Sequence, residues 1–366
     1  MTVMLAARAH PGASSLQLDK IDLPKPGPHD VLIKVASAGL APGMMALLAR
    51  GAFKHLPTTA GHEAAGTVES VGAEVDSALL GQRVRVHPML ACRSCVYCRT
   101  DREQMCAESA MIGHAAFGNG SLELYARYHD GGLAEYIRVP DWLVDVLPDN
   151  VSFDVGAKVH DMANAVRALK LTALPLGGTL VVTAATGTMG TATIKLARFF
   201  GAGRLILVGR SAERLAAVRP LAGSLPVETI ALEELGPDWA KTQELTRRIR
   251  ALAPAGAEAV IDYIPDGPAS TQALTSLAQG GTLVHMGGNS MPFTIPAVAI
   301  MVNLWRIVGT RACTRTDSDE VLRLLATGAL QAEDLITHRF PLTDIVDGLT
   351  AMQQRQDPMW MGVVKP

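Results

Sequence analysis

The sequence predicts an α/β chain of two parts, an open parallel sheet that holds a nucleotide and a β-rich barrel domain ahead of it. Three observations carry that expectation: a strand, turn, helix, strand unit from Thr179 to Arg210, short strand-like runs between turns from Met1 to about Phe153, and four cysteines in one short window. At 366 residues the chain has length for two domains.

The nucleotide unit reads TLVVTAATGTMGTATIKLARFFGAGRLILVGR. Thr179 to Thr183 is a β-branched apolar run of the kind buried in a parallel sheet, and it ends at small Ala184 and Ala185. Gly187 lets the backbone turn towards a pyrophosphate, and Gly190 lets the next helix pack close to the strand and present its N-terminal N–H groups to the anion. Ile194, Leu196, Ala197 and Phe200 mark the apolar side of that helix. The second strand, Leu205 to Val208, ends at Gly209 and Arg210, about twenty residues past the turn, where a dinucleotide site usually carries an acidic residue. Glycine leaves room for a 2′-phosphate and arginine can pair with it, so NADP(H) is expected over NAD(H); the alternative is that Arg210 only faces solvent. The expected cofactor residues are Thr186, Gly187, Thr188, Met189, Gly190, Gly209, Arg210 and Gly287, against the alternative of a structural βα turn.

In the first part, Val31 to Ala36, Ala64 to Val71, Gln82 to His87 and Leu133 to Val139 read as strands between glycine and proline punctuation. Helical spacing begins at Val151. Beyond the nucleotide unit, strands are expected at Ala259 to Tyr263, Thr282 to Met286 and Arg306 to Gly309. Leu274 and Leu277 mark one intervening helix, and another runs from about Ser318 to Leu325. The tail from His338 is expected to return to the first domain, giving boundaries of 1–153, 154–312 and 313–366.

A formal charge of -2 with no polybasic stripe gives no case for nucleic acid. Apolar runs are broken before about 18 residues, so no membrane span is expected. The N-terminus lacks a basic segment followed by an apolar core, and a cytoplasmic enzyme acting on a small molecule is expected. Five cysteines with four clustered argue against a secreted disulfide scaffold. Cys92, Cys95, Cys98 and Cys106, in a lobe of about 88–110, can surround one structural zinc; a redox dithiol would leave two of them unexplained. Cys313 reads as a buried small residue.

GHEAAGTVESVGAEV from Gly61, the cysteine lobe, GGLAEYIRVP from Gly131, the nucleotide turn and HRFPL occur in this order. Together they resemble the medium-chain dehydrogenase/reductase superfamily, in its zinc-type alcohol dehydrogenase branch. The resemblance implies a chaperonin-10-like (GroES-like) catalytic barrel, a doubly wound Rossmann domain, nicotinamide hydride transfer, and a homodimer or homotetramer. It also implies a catalytic zinc, and here the sequence departs. Ala41 stands where the family's ligand cysteine is expected, and Gly43 where a serine or threonine relays the alcohol proton. His62 and Glu63 match the family motif, and the third ligand position falls at His160 or Asp161. His62, Glu63 and His160 could hold a metal in a rearranged shell; alternatively His62 is a hydrogen-bonded cleft histidine.

Without that zinc the hydride acceptor should already be activated, as in an enone, unsaturated aldehyde or iminium. His55, His62, His160 and Asp161 are the candidate proton donors, with His160 and Asp161 equally readable as a segment end. Met44, Met45, Leu47 and Leu48 either line the substrate side or pack a short helix. The stretch Ala115 to Asp130 is expected to cover the cleft or a subunit contact. Three functions follow: an NADPH-dependent reductase of activated C=C, C=N or C=O groups of a small apolar substrate without catalytic zinc, a zinc alcohol dehydrogenase with an altered ligand set, or a nucleotide-binding protein without turnover.

Overall fold

The computed structural model describes residues 2–41, 43–354 and 358–366; Met1, Pro42 and the tail stretch 355–357 lie outside the described residues. By internal packing the chain divides into one unit of Met1–His160 with Cys313–Pro366 and a second of Asp161–Ala312.

The second unit is a six-stranded sheet in which every pairing is parallel. Across it run Val227–Ala231, Ala202–Gly209, Gly178–Val182, Ala257–Asp262, Leu277–His285 and Arg306–Gly309. Leu180, Val181, Val182, Leu205, Ile206, Leu207, Val260 and Ile261 are fully buried, because helices cover both faces of such a sheet. The strand order reverses between Gly178–Val182 and Ala257–Asp262, and ligands of open α/β sheets bind at the carboxyl ends of strands at such a reversal. The helix Ala269–Thr275 stops short of Leu277, which instead opens a strand. Leu274 and Leu277 are both buried, so three-residue spacing of apolar side chains looked like one helix face where it straddles a helix-to-strand junction.

The first unit is antiparallel in its main pairings. Asp30–Gly39 pairs with Ala64–Val71, with Tyr136–Pro140 and with Met361–Lys365 of the tail. A smaller sheet joins Val3–Ala9 to Gln17–Asp22 and Thr58–Thr59. Residues 154–160 pack with this unit and not with the second, as the expected boundary had it, because the helix Phe153–Ala157 lies on the barrel strands. Gly156 makes that possible: a Cβ there would fall 2.6 Å from Leu147 and 3.3 Å from Ala65.

Two further stretches place some of their side chains in the first unit's core. Ala115 to Asp130 contains the helix Glu123–Tyr128, whose Tyr125 and Tyr128 are buried in the first unit's core. Tyr125 donates to the His114 carbonyl at 2.5 Å and Tyr128 to the buried Asp30 carboxylate at 2.7 Å, so two tyrosines anchor the stretch to the core while 119–121, Ala126 and Arg127 stay exposed. In the helix Gly43–Ala49, Met44 and Leu48 are buried one turn apart and face the core, which withdraws them from a substrate wall.

Candidate active site and metal centre

The cysteine lobe rises between two short paired strands, Met89–Leu90 and Ala110–Met111. The ligand atoms of Cys92, Cys95, Cys98 and Cys106 lie within 4.8 Å of one another. Sulfur separations are 3.5 Å for Cys95 to Cys98 and 3.9 Å for Cys92 to Cys98. Thiolates on a tetrahedral zinc with bonds of about 2.3 Å sit about 3.8 Å apart, so the donor set and its spacing fit. Backbone N–H groups support the thiolates: Cys95 donates to Cys92 Sγ at 3.3 Å, and Cys92 and Glu108 donate to Cys106 Sγ at 3.4 and 3.3 Å. Hydrogen bonds from Ser94 pull the Cys92 thiol down to about 6, towards the ligating form. With all four sulfurs used, no position is left for a substrate, so this zinc would be structural.

A second cluster forms around the segment Gly61 to Glu63. Gly61 takes φ of +94°, a conformation that favours glycine, and a Cβ there would strike Leu133 at 2.5 Å. That tight crossing sets the buried His62 and Glu63 on the first unit's inner side. Glu63 fills the space that Gly39 leaves open, since a Cβ on residue 39 would fall 2.0 Å from Glu63 Oε2. The same carboxylate oxygen accepts from Lys158 Nζ at 2.6 Å, and both side chains are fully buried. Glu63 Oε1 stands 3.9 Å from His62 Nε2. His114 and His160 each meet His62 edge-on, with ring centroids 4.7 and 5.1 Å away.

His160 is held from behind by a chain of buried groups. Its Nδ1 is 3.4 Å from Cys313 Sγ, Cys313 is 3.8 Å from Ser318 Oγ, and Ser318 is 3.4 Å from His87 Nδ1. Burial, followed by the charges of His62, His87, Arg85 and Lys158, holds the His160 pKa well below its usual value, so the ring is neutral at pH 7. Burial pushes the Cys313 thiol up to about 12, so it stays a thiol able to share its hydrogen with the imidazole. Cys313 is buried but is no mere apolar filler.

His62, Glu63 and His160 thus come together, while His55 does not join them: it stacks on His129 at 5.3 Å and tilts over Tyr125 at 5.4 Å. Asp161 is buried at the head of the helix Val159–Thr172 and falls to the second unit. Lys158 and His114 escaped sequence reading. A lysine inside the otherwise apolar run GAKV, and a second Gly-His pair at Gly113, were the available signals.

In the second unit, Gly187 caps the helix Thr188–Leu196 with an extended backbone, and Thr191 N–H donates to its carbonyl at 2.9 Å. A Cβ on Gly190 would lie 2.6 and 2.7 Å from the carbonyls of Ala185 and Ala184, so only glycine lets the helix approach the strand this closely. Gly287 makes the same allowance beside the Ile264 carbonyl, 2.4 Å from where a Cβ would be. Thr186, Gly187, Thr188 and Met189 are half-buried at the mouth of the turn, and Arg210 is exposed at the end of its strand. This cradle fits a dinucleotide pyrophosphate. At the ends of neighbouring strands Asp262, fully buried, accepts from Thr183 Oγ1 at 2.5 Å and pairs with His285 Nδ1 at 2.8 Å, a network that no local motif announced.

Comparison with known proteins bears on both units. The family described as alcohol dehydrogenase GroES-like domain matches residues 27–149, and zinc-binding dehydrogenase matches residues 188–327. The chain belongs to the medium-chain dehydrogenase/reductase superfamily, in its zinc-type alcohol dehydrogenase branch. Its relatives include a sorbitol dehydrogenase of Pongo abelii, 27% identical with 94% of this chain and 91% of that protein covered. An L-idonate 5-dehydrogenase of Vitis vinifera is 27% identical over 90% of this chain and 86% of the relative. A zinc-binding dehydrogenase of Sinorhizobium meliloti 1021, solved with NADP, shares the fold with a TM-score of 0.83 at 24% identity and covers 100% of both chains. This medium-chain dehydrogenase is accordingly a GroES-like domain joined to a Rossmann domain, an oxidoreductase that uses a nicotinamide nucleotide and zinc.

The superfamily's catalytic zinc does not find its shell in these residues as they stand. Ala41 offers a methyl group, Glu63 is engaged by Lys158, and among the described residues the four cysteines are the only group of three or more donors within 4.8 Å.

Proposed function

We propose that this dehydrogenase transfers hydride from NADPH to an activated C=C, C=N or C=O group of a small substrate, without a catalytic metal. The carrying observation is the state of the metal position: Ala41 cannot ligate and the Glu63 carboxylate is already bound to an ammonium group. When bound, the reduced nicotinamide supplies the hydride. Charge arriving on the acceptor then needs a donor. Cys313 Sγ lies 3.4 Å from His160 Nδ1, and in the tautomer in which the thiol donates, neutral His160 carries its hydrogen on Nε2 and can donate an N–H as an uncharged electrophile. NADPH is favoured by Gly209 and the exposed Arg210. Four cysteines clustered as metal ligands, with none in a disulfide, support a reducing, cytoplasmic setting. An exposed apolar helix in the second unit supports a homo-oligomer.

A second reading, a zinc-dependent polyol or alcohol dehydrogenase with a rearranged shell, is favoured by the sorbitol and L-idonate dehydrogenases among the relatives. Zinc analysis of the dialysed protein, with NADPH oxidation on enones, imines and aldehydes and NAD(P)+ reduction on polyols, separates the two. One zinc per chain with chelator-resistant enone or imine reduction is expected. Two zincs with chelator-sensitive polyol oxidation would establish the second reading. Arg210→Glu should cut the NADPH over NADH preference at least about tenfold, the loss of one charge-assisted phosphate contact; an unchanged ratio would remove Arg210 from cofactor choice.

A further inference from the structure

We infer that Lys158 is an internal cation that takes the place of a metal's charge and keeps a divalent ion out of the pocket of His62, Glu63 and His160. This rests on the zinc-free reading above and says what enforces it. The missing thiolate at Ala41 by itself would leave two imidazoles and a carboxylate, a set that borderline metals accept. What neutralises the carboxylate is Lys158, whose Nζ lies 2.6 Å from Glu63 Oε2 with both side chains fully buried, while Oε1 faces His62 at 3.9 Å without a hydrogen bond.

Three physical arguments converge. A fully buried carboxylate requires a positive partner, and the ammonium supplies it, so Glu63 gains little from a second cation. An ammonium and a dication on the same carboxylate would repel each other strongly where water cannot screen them. The backbone is also adapted to the pair: Gly39 vacates the volume that Glu63 Oε2 occupies, and Lys158 caps the helix Phe153–Ala157, its N–H bonded to the carbonyls of Asp154 and Val155, which anchors the side chain. Among the groups that bear on His160, Arg85 and Lys158 are the permanent cations, and among the described residues Lys158 is the one seated on the Glu63 carboxylate.

The test is metal stoichiometry and zinc-dependent melting of full-length wild type, Lys158→Met and Lys158→Gln, each dialysed against zinc and then against buffer. Wild type should retain one zinc per chain, in the cysteine lobe. Lys158→Met should retain two, and added zinc should raise its melting temperature where it leaves wild type unchanged. Lys158→Gln keeps a hydrogen bond to Glu63 without the charge; it carries the test if the methionine variant does not fold, and it too should hold a second zinc. Lys158→Met/Glu63→Gln, which removes both charges, should return to one. A folded Lys158→Gln or Lys158→Met protein with a single zinc and no zinc-dependent shift overturns the inference and leaves the zinc-free reading standing. Two zincs in wild type overturn that reading itself.

Discussion

His87 shows how much a single buried side chain can be made to depend on its surroundings. It is 2% exposed, and burial together with the charges of Arg85 and Arg315 holds its pKa well below 6.5. A histidine depressed in the folded state is neutral there but protonates once unfolded. Its contribution is therefore in place above pH 6.5 and is lost as pH falls from there towards the folded value. His114 and His160 act in the same direction, each contributing at most about 1.4 kcal/mol per pH unit. Denaturant midpoints should fall between pH 7.5 and pH 5.5, and His87→Gln, which keeps an acceptor for Arg85, should flatten the fall; equal midpoints at the two pH values would contradict this. At this scale the sequence names the residue types well. It offers no way to see that Glu63, read as a metal candidate, is held by Lys158 from 95 positions away.

Two elements, the nucleotide turn and the structural cysteine lobe, were legible as local patterns. The strand, turn and helix from Gly178 to Leu196 follow from a β-branched run, two glycines and helical apolar spacing, all within a short window. Gly190→Ala should force the helix off the carbonyls it now touches, costing roughly 1 to 3 kcal/mol of stability by overpacking and weakening nucleotide affinity by about tenfold or more; unchanged NADPH binding by fluorescence titration would show that the close approach is not needed. The cysteine lobe follows from four thiols in the pattern of a closed metal shell. Cys98→Ser should remove its zinc, and trypsin should then cut at the exposed Arg93 and Arg99 within minutes while wild type resists. Metal-independent resistance would mean that the lobe is held by packing. The helix Glu123–Tyr128 was harder to read, because only burial distinguishes its two tyrosines as core residues from a surface loop.

At the scale of the whole molecule, the proposed assembly points to one exposed helix. In the second unit the helix Ala297–Asn303 has no buried residue, and Val298, Met301 and Val302 are 57%, 67% and 60% exposed, just before the edge strand Arg306–Gly309 in the chain. Exposed apolar side chains and an edge strand are the features that support the proposed homo-oligomer. Met301→Glu with Val302→Glu should turn an oligomer into monomers by light scattering with the fold intact; a wild type that is already monomeric would remove this role. Among the described residues no helix is long and apolar enough to cross a membrane.

The sequence alone determined the two architectures, the glycine turn and the four-thiol lobe. Each is written in residues close together in the chain, where periodicity and backbone preference act directly. The tertiary structure decided what surrounds His62, Glu63 and His160: an ammonium on Glu63, and a thiol against His160 that comes from 153 residues away. Strand pairing brings the tail beside Asp30–Gly39, and no local pattern records which buried charges such pairing will bring into contact.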